Sequence, residues 1–281
     1  MSERPILCSF IIPAYNEQYD LPLALSSIQK QSVQDFEIIV VDDGSTDRTR
    51  DCVREMFPQV TLLTQNHQGT GAARNLGAQA ANGEILIFTD ADIIFEPDTL
   101  QKLIAPILSG QHPATNWFDE RVFEPQRPWS QCWQIAHHLP LNSRMPVGYD
   151  VTHSRVFRAV RKDYFLAQGG FNTALGIHDD NLSPQPVPML KDVSVYHINP
   201  SNLAEIWATA SWIGKGCVAA GGASNGLKKL LFIYCLPKSL VRGLLGAIWH
   251  RLPRYFFFKI FFDAAASWGI LRAIAGLSSA K

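Results

Sequence analysis

The sequence predicts an α/β fold: a doubly wound mixed sheet with a C-terminal helical appendage that meets a membrane interface. Three observations predict it. Short β-branched runs alternate with helical stretches through the first hundred residues. Each apolar run is continuous rather than alternating, the pattern of strands covered on both faces. From about residue 226 the composition turns aliphatic, aromatic and basic, punctuated by Pro237 and Pro253.

Taken in order, strands are expected over residues 8–12, 37–41, 60–64 and 84–89. Between the first two, Asp20-Leu21-Pro22 opens a helix through Leu25 and Ile28, with Pro early, where its missing N–H costs little. Thr46-Asp47 begins a second helix that can turn Cys52, Val53, Met56 and Phe57 to the core, and residues 71–82 form a third, Ala-rich one. Alternation of this kind calls for right-handed crossovers. Ligands of such sheets bind outside the carboxyl ends of the strands. From 110 to 199 the pattern loosens, with Trp117, Trp129, Trp133, His137 and His138 in Pro-interrupted stretches; there 158–168 reads as a helix ended by Gly169-Gly170, and 192–198 alternates like a strand. The tryptophans and histidines suit buried core better than a sugar-stacking groove.

In the tail, Leu240, Val241, Leu244, Leu245, Ile248, Trp249 and Leu252 make one helical stripe, with Lys238, Arg242, Gly246, His250 and Arg251 away from it. Residues 255–274 are apolar except for Lys259, Asp263, Ser267 and Arg272. No window reaches the roughly 18 apolar residues a bilayer crossing needs, so helices lying in the interface are expected. Packing against the body or a partner chain is the alternative use of such a stripe, and an oligomer is then possible.

With 281 residues, 47% of them hydrophobic, the chain can bury a full core, which excludes a disordered class. The first residues lack the basic, apolar, small-residue order of a secretory signal, and export is not expected. Five scattered cysteines without CxxC spacing fit reduced thiols rather than a disulfide frame or zinc site, implying the cytoplasmic side. The formal net charge of zero conceals an asymmetry: residues 228–281 carry nine Lys or Arg against one acid, Asp263, and the remainder is acidic by the same margin of eight. A basic apolar segment is drawn to anionic lipid while an acidic globule stays in solvent. The expected placement is therefore peripheral, on the cytoplasmic side of the cell membrane, and no nucleic-acid partner is expected.

Four strand ends converge on one crevice: Pro13-Ala14-Tyr15-Asn16-Glu17, Asp42-Asp43-Gly44-Ser45-Thr46-Asp47, residues 67–75, and Asp90-Ala91-Asp92. Two carboxylates one residue apart can share a hard divalent cation with phosphate oxygens, since Mg²⁺ and Mn²⁺ prefer oxygen. Such a metal neutralises a diphosphate leaving group. Asp43-Gly44-Ser45 presents a carboxylate that can accept from a base N–H or a ribose hydroxyl. Arg74 can reach phosphate with its planar fork. An isolated Asp-x-Asp is ordinarily a solvated loop, and an isolated Arg a surface charge. Their joint occurrence at one sheet edge is what points to a site.

Ile-Ile-Pro-Ala-Tyr-Asn-Glu at 11–17, Val-Val-Asp-Asp-Gly-Ser-Thr-Asp at 40–47, Gly-Thr-Gly-Ala-Ala-Arg-Asn-Leu-Gly at 69–77 and Phe-Thr-Asp-Ala-Asp at 88–92 resemble family 2 glycosyltransferases of the GT-A, Rossmann-like fold. The resemblance covers roughly residues 6–215. It implies an inverting, metal-dependent transfer from a nucleotide diphosphate sugar, with Mn²⁺ or Mg²⁺ as cofactor. By that likeness Ala14, Tyr15, Glu17 and Asp43 contact the nucleoside, Asp42 supports the loop, Asp90 meets the ribose and Asp92 the metal. The family's base follows a Gly-Gly-Phe signature, here Gly169-Gly170-Phe171, in an acidic pair before a Leu. This chain has His178-Asp179-Asp180-Asn181-Leu182, a departure that leaves Asp179 and Asp180 both open as the base. His197, ending a strand, is a further candidate metal ligand, suited to Mn²⁺. Trp212-Ile213-Gly214-Lys215-Gly216 resembles the family's closing segment, with Lys215 either a phosphate contact or a surface charge.

The expected organisation is a transferase domain over 1–225, with a nucleotide-sugar half at 1–109 and an acceptor-side half at 110–225, followed by the tail at 226–281. The expected activity moves a sugar from a UDP- or GDP-type donor to a lipid-linked or surface-glycan acceptor, as in cell-envelope polysaccharide synthesis. The alternatives are a polyprenyl-phosphate glycosyl synthase and a catalytically silent membrane-associated relative.

Overall fold

A computed structural model describes residues 6–173 and 183–276. Packing divides the chain into two units, Met1–Phe123 with Gly148–Ile198, and Glu124–Val147 with Asn199–Lys281.

In the first unit the elements run β1 (Cys8–Ala14), α1 (Leu21–Ile28), β2 (Phe36–Asp42), α2 (Thr49–Met56), β3 (Thr61–Thr64), α3 (Thr70–Ala80), β4 (Ile85–Phe88), β5 (Ile93–Phe95), α4 (Thr99–Leu108) and β6 (Ala114–Val122). After α5 (Pro128–Ala136), which belongs to the second unit, come β7 (His153–Ser154), β8 (Ala159–Arg161), α6 (Lys162–Ala167) and β9 (Val187–His197). Among the described residues nine strands are joined in the order β3-β2-β1-β4-β8-β6-β9-β5, with β7 on β9. The first four are parallel, while β8 runs antiparallel to both β4 and β6. The sheet is therefore mixed and doubly wound, and the direction of winding reverses between β1 and β4.

The continuous apolar runs are explained by two cores. Phe10 and Ile12 of β1 pack with α1 and α4 on one face. Ile11, between them, packs with Ala73 and Ala78 of α3 on the other. Gly77 allows that approach: a Cβ there would come within 2.5 Å of the Ile11 side chain.

The expected helix over 158–168 is corrected. Its first residues, Ala159–Arg161, form β8, and the helix is confined to Lys162–Ala167. Ala159 and Val160 are fully buried between β4 and β6, so tertiary pairing overrides local helical preference.

The second unit is helical: α5, α7 (Leu203–Ala219), α8 (Gly222–Phe232), α9 (Leu236–Trp249) and α10 (Arg254–Ile274). The expectation of a boundary at 225 differs from this division, because α7 packs on α10 through reciprocal glycines. A Cβ on Gly214 would lie 2.1 Å from the Ala266 carbonyl oxygen, and one on Gly269 would lie 1.9 Å from that of Ser211. Between α9 and α10 a buried network is closed by Lys259 Nζ donating to Asp263 (2.7 Å) and Ser239 Oγ donating to the other Asp263 oxygen (2.7 Å). Among the described residues no single helix is long and apolar enough to cross a membrane, while α8 and α9 together reach that composition but bend by 53° at their junction.

Candidate active site

Two loops at the β1 and β2 ends are knitted together. Asn16 adopts a left-handed φ of 61°, its Oδ1 accepts from the Thr46 amide (2.8 Å), and its own amide donates to Ser45 Oγ (2.9 Å). The Glu17 amide donates to Thr49 Oγ1 (2.8 Å), and the Asp43 amide to the Ala14 carbonyl (2.8 Å). Pro13 and Ala14 are buried within β1. Asp42, fully buried, accepts from the Ser45 amide and lies 3.7 Å from Arg50 Nε, so it supports the loop.

Asp43, expected to contact the nucleoside, is engaged by neighbouring groups through both oxygens. One carboxylate oxygen accepts from Gln65 Nε2 (2.7 Å) and the Gln68 amide (2.8 Å), the other from the Gly69 amide (2.9 Å) and His67 Nδ1 (2.8 Å). A nucleoside donor would have to displace one of these. The carboxylate ties the β2 end to the loop before α3, where Gly44 lies so close to His67 that a Cβ would meet its amide at 3.1 Å. Tyr15 stacks on the His67 ring at 4.3 Å between centroids. A polar cleft of about 510 Å³ opens beside this loop, lined by Asp42, Gly44, Ser45, Arg50, Thr64, Gln65 and Asn66. Neither Asp90 nor Asp92 lines it.

Asp90-Ala91-Asp92 turns from β4 into β5, at the winding reversal where ligands of such sheets bind. Its two carboxylates have separate environments. Asp90 is gripped from both sides, by Arg74 Nη2 at 2.6 Å and Arg158 Nη1 at 3.2 Å. Burial pushes its carboxyl up, but the Arg158 and Arg74 guanidiniums outweigh that and hold it well below the usual carboxylate range. Asp92 has Oδ1 buried without a hydrogen-bond partner, while its Oδ2 lies 3.5 Å from His197 Nε2. The register explains the meeting: β5 pairs antiparallel with β9, setting Ile93 opposite His197, and the Ile198 amide donates to the Asp92 carbonyl.

His197 Nδ1 lies 2.9 Å from the Ile198 carbonyl oxygen. A carbonyl only accepts, so a proton sits on Nδ1, and Nε2 is the ring nitrogen on the Asp92 side, the one that a metal would take. A carboxylate with one oxygen beside that nitrogen and the other buried without a partner fits a divalent cation with oxygen preference. Among the described residues no third His, Cys, Asp or Glu completes a closed cage. The remaining positions suit substrate oxygens.

Arg74, expected to reach phosphate, is 2% exposed, spends Nη2 on Asp90 and lies 5.4 Å from the Phe171 ring centre. Its neighbour Asn75 clamps the Gly-Gly-Phe segment: Nδ2 donates to the Phe171 carbonyl (2.8 Å) and Oδ1 accepts from the Phe171 amide (2.8 Å). Gly170, with φ of 77°, is required there, since a Cβ would stand 2.7 Å from Asn75 Oδ1. The candidate bases Asp179 and Asp180, with His178, lie outside the described residues. Lys215 lies on α7, in the second unit. His137 is half-buried, stacked on Trp133 at 4.5 Å, with burial pulling its pKa down.

Sequence reasoning missed Arg158, which also lies 4.8 Å over the Trp117 ring. Its only local signal, the apolar Ala159-Val160 after it, was absorbed into the expected helix.

The family model described as glycosyl transferase family 2 matches residues 9–166. A PGL/p-HBAD biosynthesis glycosyltransferase of Mycobacterium bovis is 38% identical over 169 residues, 58% of this chain and 62% of its own. A 4,4'-diaponeurosporenoate glycosyltransferase of Staphylococcus haemolyticus is 32% identical over 178 residues, 59% of this chain and 47% of its own. A glycosyltransferase of Haemophilus influenzae matches at 27% identity over 62% of this chain and 59% of its own, so the chain spans less than two thirds of these relatives. Among solved structures, the Pyrobaculum calidifontis mannosyltransferase PcManGT, in complex with GDP-Man and Mn²⁺, has a TM-score of 0.54 at 18% identity, covering 97% of this chain and 88% of that one. Staphylococcus aureus TarS 1–349 with UDP has a TM-score of 0.51 at 17% identity, covering 95% and 91%. These likenesses give the GT-A fold, and the family match extends over more than half of the sequence. The chain belongs to glycosyl transferase family 2.

Proposed function

We propose that the protein transfers a sugar, with inversion, from a UDP- or GDP-type nucleotide sugar to a hydroxyl of a lipid-linked or surface-glycan acceptor. The observation that carries the reading is the split acidic pair: Asp90 locked between Arg74 and Arg158, and Asp92 with one carboxylate oxygen buried and partnerless and the other facing His197. Asp92 and His197 would hold Mn²⁺ or Mg²⁺, which when bound supplies charge neutralisation for the departing nucleoside diphosphate. The solved mannosyltransferase with Mn²⁺ and GDP-Man supports that use of the fold.

The chain's own residues do the rest. Asp90, fixed by two guanidiniums, offers an ionised acceptor of fixed direction to a ribose hydroxyl. Tyr15 offers a ring face at the β1 end against which a nucleobase can stack in exchange for His67. A carboxylate from the Asp179-Asp180 pair takes the proton from the attacking hydroxyl, as inversion by direct displacement requires. The relatives' names support a cell-envelope lipid or glycan acceptor, and we extend this to a peripheral position at the cytoplasmic membrane surface.

The test is nucleoside diphosphate release from a panel of nucleotide sugars with Mn²⁺ and a lipid extract. Turnover with one donor is expected, abolished by Asp179→Asn or Asp180→Asn with donor binding retained. Release that is indifferent to both substitutions would remove the pair from the mechanism.

A further inference from the structure

We infer that the second unit docks on an anionic lipid bilayer through the outward face of α8 and α9, with the bend between them entering the headgroup boundary. Helix α9 is packed inside out. Its inward side is made of small residues: Ser239 and Gly243 are buried, a Cβ on Gly243 would stand 3.2 Å from the Phe256 carbonyl oxygen, and one on Gly246 would stand 2.3 Å from the Tyr255 ring. Its large apolar side chains face away from α10. Val241, Leu244, Leu245, Ile248 and Trp249 are 57%, 54%, 62%, 67% and 84% exposed. Leu231 and Phe232 at the end of α8 continue the surface at 56% and 62%. A helix of a water-soluble body turns that stripe inward, so this one is built for an apolar exterior.

Charge selects the occupant. Beside that stripe α8, α9 and the turn after α9 expose Lys228, Lys238, Arg242 and Arg251, and no Asp or Glu occurs between residues 206 and 262. A second copy meeting this face about a two-fold axis would set those cations against themselves with no acid to pair them. Anionic headgroups answer them, at a gain that falls with salt.

The bend is equipped for a water-poor surrounding. Breaking the helix after Phe232 frees carbonyl groups, which lipid would leave unsatisfied. Here Lys238 Nζ donates to the Phe232 carbonyl (3.0 Å) and Arg242 Nη1 to that of Ile233 (3.3 Å). Beside them an apolar groove of about 330 Å³, lined by Leu231, Tyr234, Leu236 and Ile260 among others, opens at the elbow and can receive part of an acyl chain. The docking stands independently of the donor-site reading.

The test sediments the full chain with phosphatidylcholine vesicles, with and without phosphatidylglycerol. The wild type should sediment with anionic vesicles and release progressively with salt. Leu245→Glu/Ile248→Glu should weaken sedimentation at least about tenfold, with thermal unfolding and UDP or GDP binding unchanged because both side chains are already exposed. Lys228→Gln/Arg251→Gln should flatten the dependence on phosphatidylglycerol. A wild type that stays in the supernatant at low salt overturns the inference, as does equal sedimentation of the Leu245→Glu/Ile248→Glu variant. A dimer that this variant splits, without wild-type vesicle binding, assigns the face to a second copy.

Discussion

Replacing Arg158 by Met removes the guanidinium that faces Asp90 Oδ2 at 3.2 Å and lies 4.8 Å over Trp117, while keeping an apolar stem of similar length. Removing one partner of a fully buried ion pair costs about 3–5 kcal/mol. Asp90 is 34% exposed and keeps Arg74 at 2.6 Å, so solvent and the second guanidinium reduce that to about 1.5–2.5 kcal/mol. Loss of the contact with Trp117 adds about 0.5–1 kcal/mol. Urea unfolding should therefore show Arg158→Met destabilised by about 2–3.5 kcal/mol. Asp90→Asn should also destabilise, and the double variant should fall short of the sum by about 1–2 kcal/mol, because the two changes delete one interaction. A loss below about 0.5 kcal/mol, or strict additivity with Asp90→Asn, would refute the idea that Arg158 fixes Asp90.

Three further outcomes follow from other contacts. Glu37 accepts from Ser9 Oγ (2.6 Å) and from the Asn82 side chain (3.1 Å) at the turn into β4, and although burial raises its pKa, these bonds lower it overall. Because the folded value lies below the unfolded one, its contribution is full above the unfolded value near pH 4.3 and vanishes as pH falls through the folded one. Glu37→Gln should cost about 1–2 kcal/mol at pH 7, and the difference from wild type should close in acid, as read from unfolding curves across pH. Burial pushes the Cys8 thiol up to about 12, so mass spectrometry after thiol labelling of the native chain should find Cys8 unmodified until denaturant is added. Gly269→Ala places a methyl 1.9 Å from the Ser211 carbonyl oxygen and should loosen α7 from α10 by about 2–3 kcal/mol, seen as earlier proteolysis of the helical unit while the sheet unit stays protected.

The first strands and their polar ends were legible because their physics is local. Each of β1, β2 and β4 is a continuous apolar run bounded by turn residues, and polar groups collect at their ends, so Tyr15, Asp42 and the Asp90–Asp92 turn were placed without any knowledge of pairing. The later strands were not, since β5, β7 and β8 are two or three residues long and exist only through their partners. Arg158 was lost for that reason, as were the engaged oxygens of Asp43, whose donors Gln68 and Gly69 belong to another strand end. In α9 the periodicity gave the stripe and could not give its direction. That was decided by Ser239, Gly243 and Gly246, small residues whose meaning appears only against Tyr255 and Phe256 of α10.

Calorimetric titration of UDP and GDP into the full chain, with and without Mn²⁺, beside Asp92→Asn and His197→Ala, tests the assignment of the acidic pair most directly. One nucleoside diphosphate should bind the wild type at least about tenfold more tightly with Mn²⁺, and both substitutions should abolish that gain while leaving metal-free binding intact. Nucleotide binding that ignores Mn²⁺, or a Mn²⁺ gain that survives both substitutions, would contradict it.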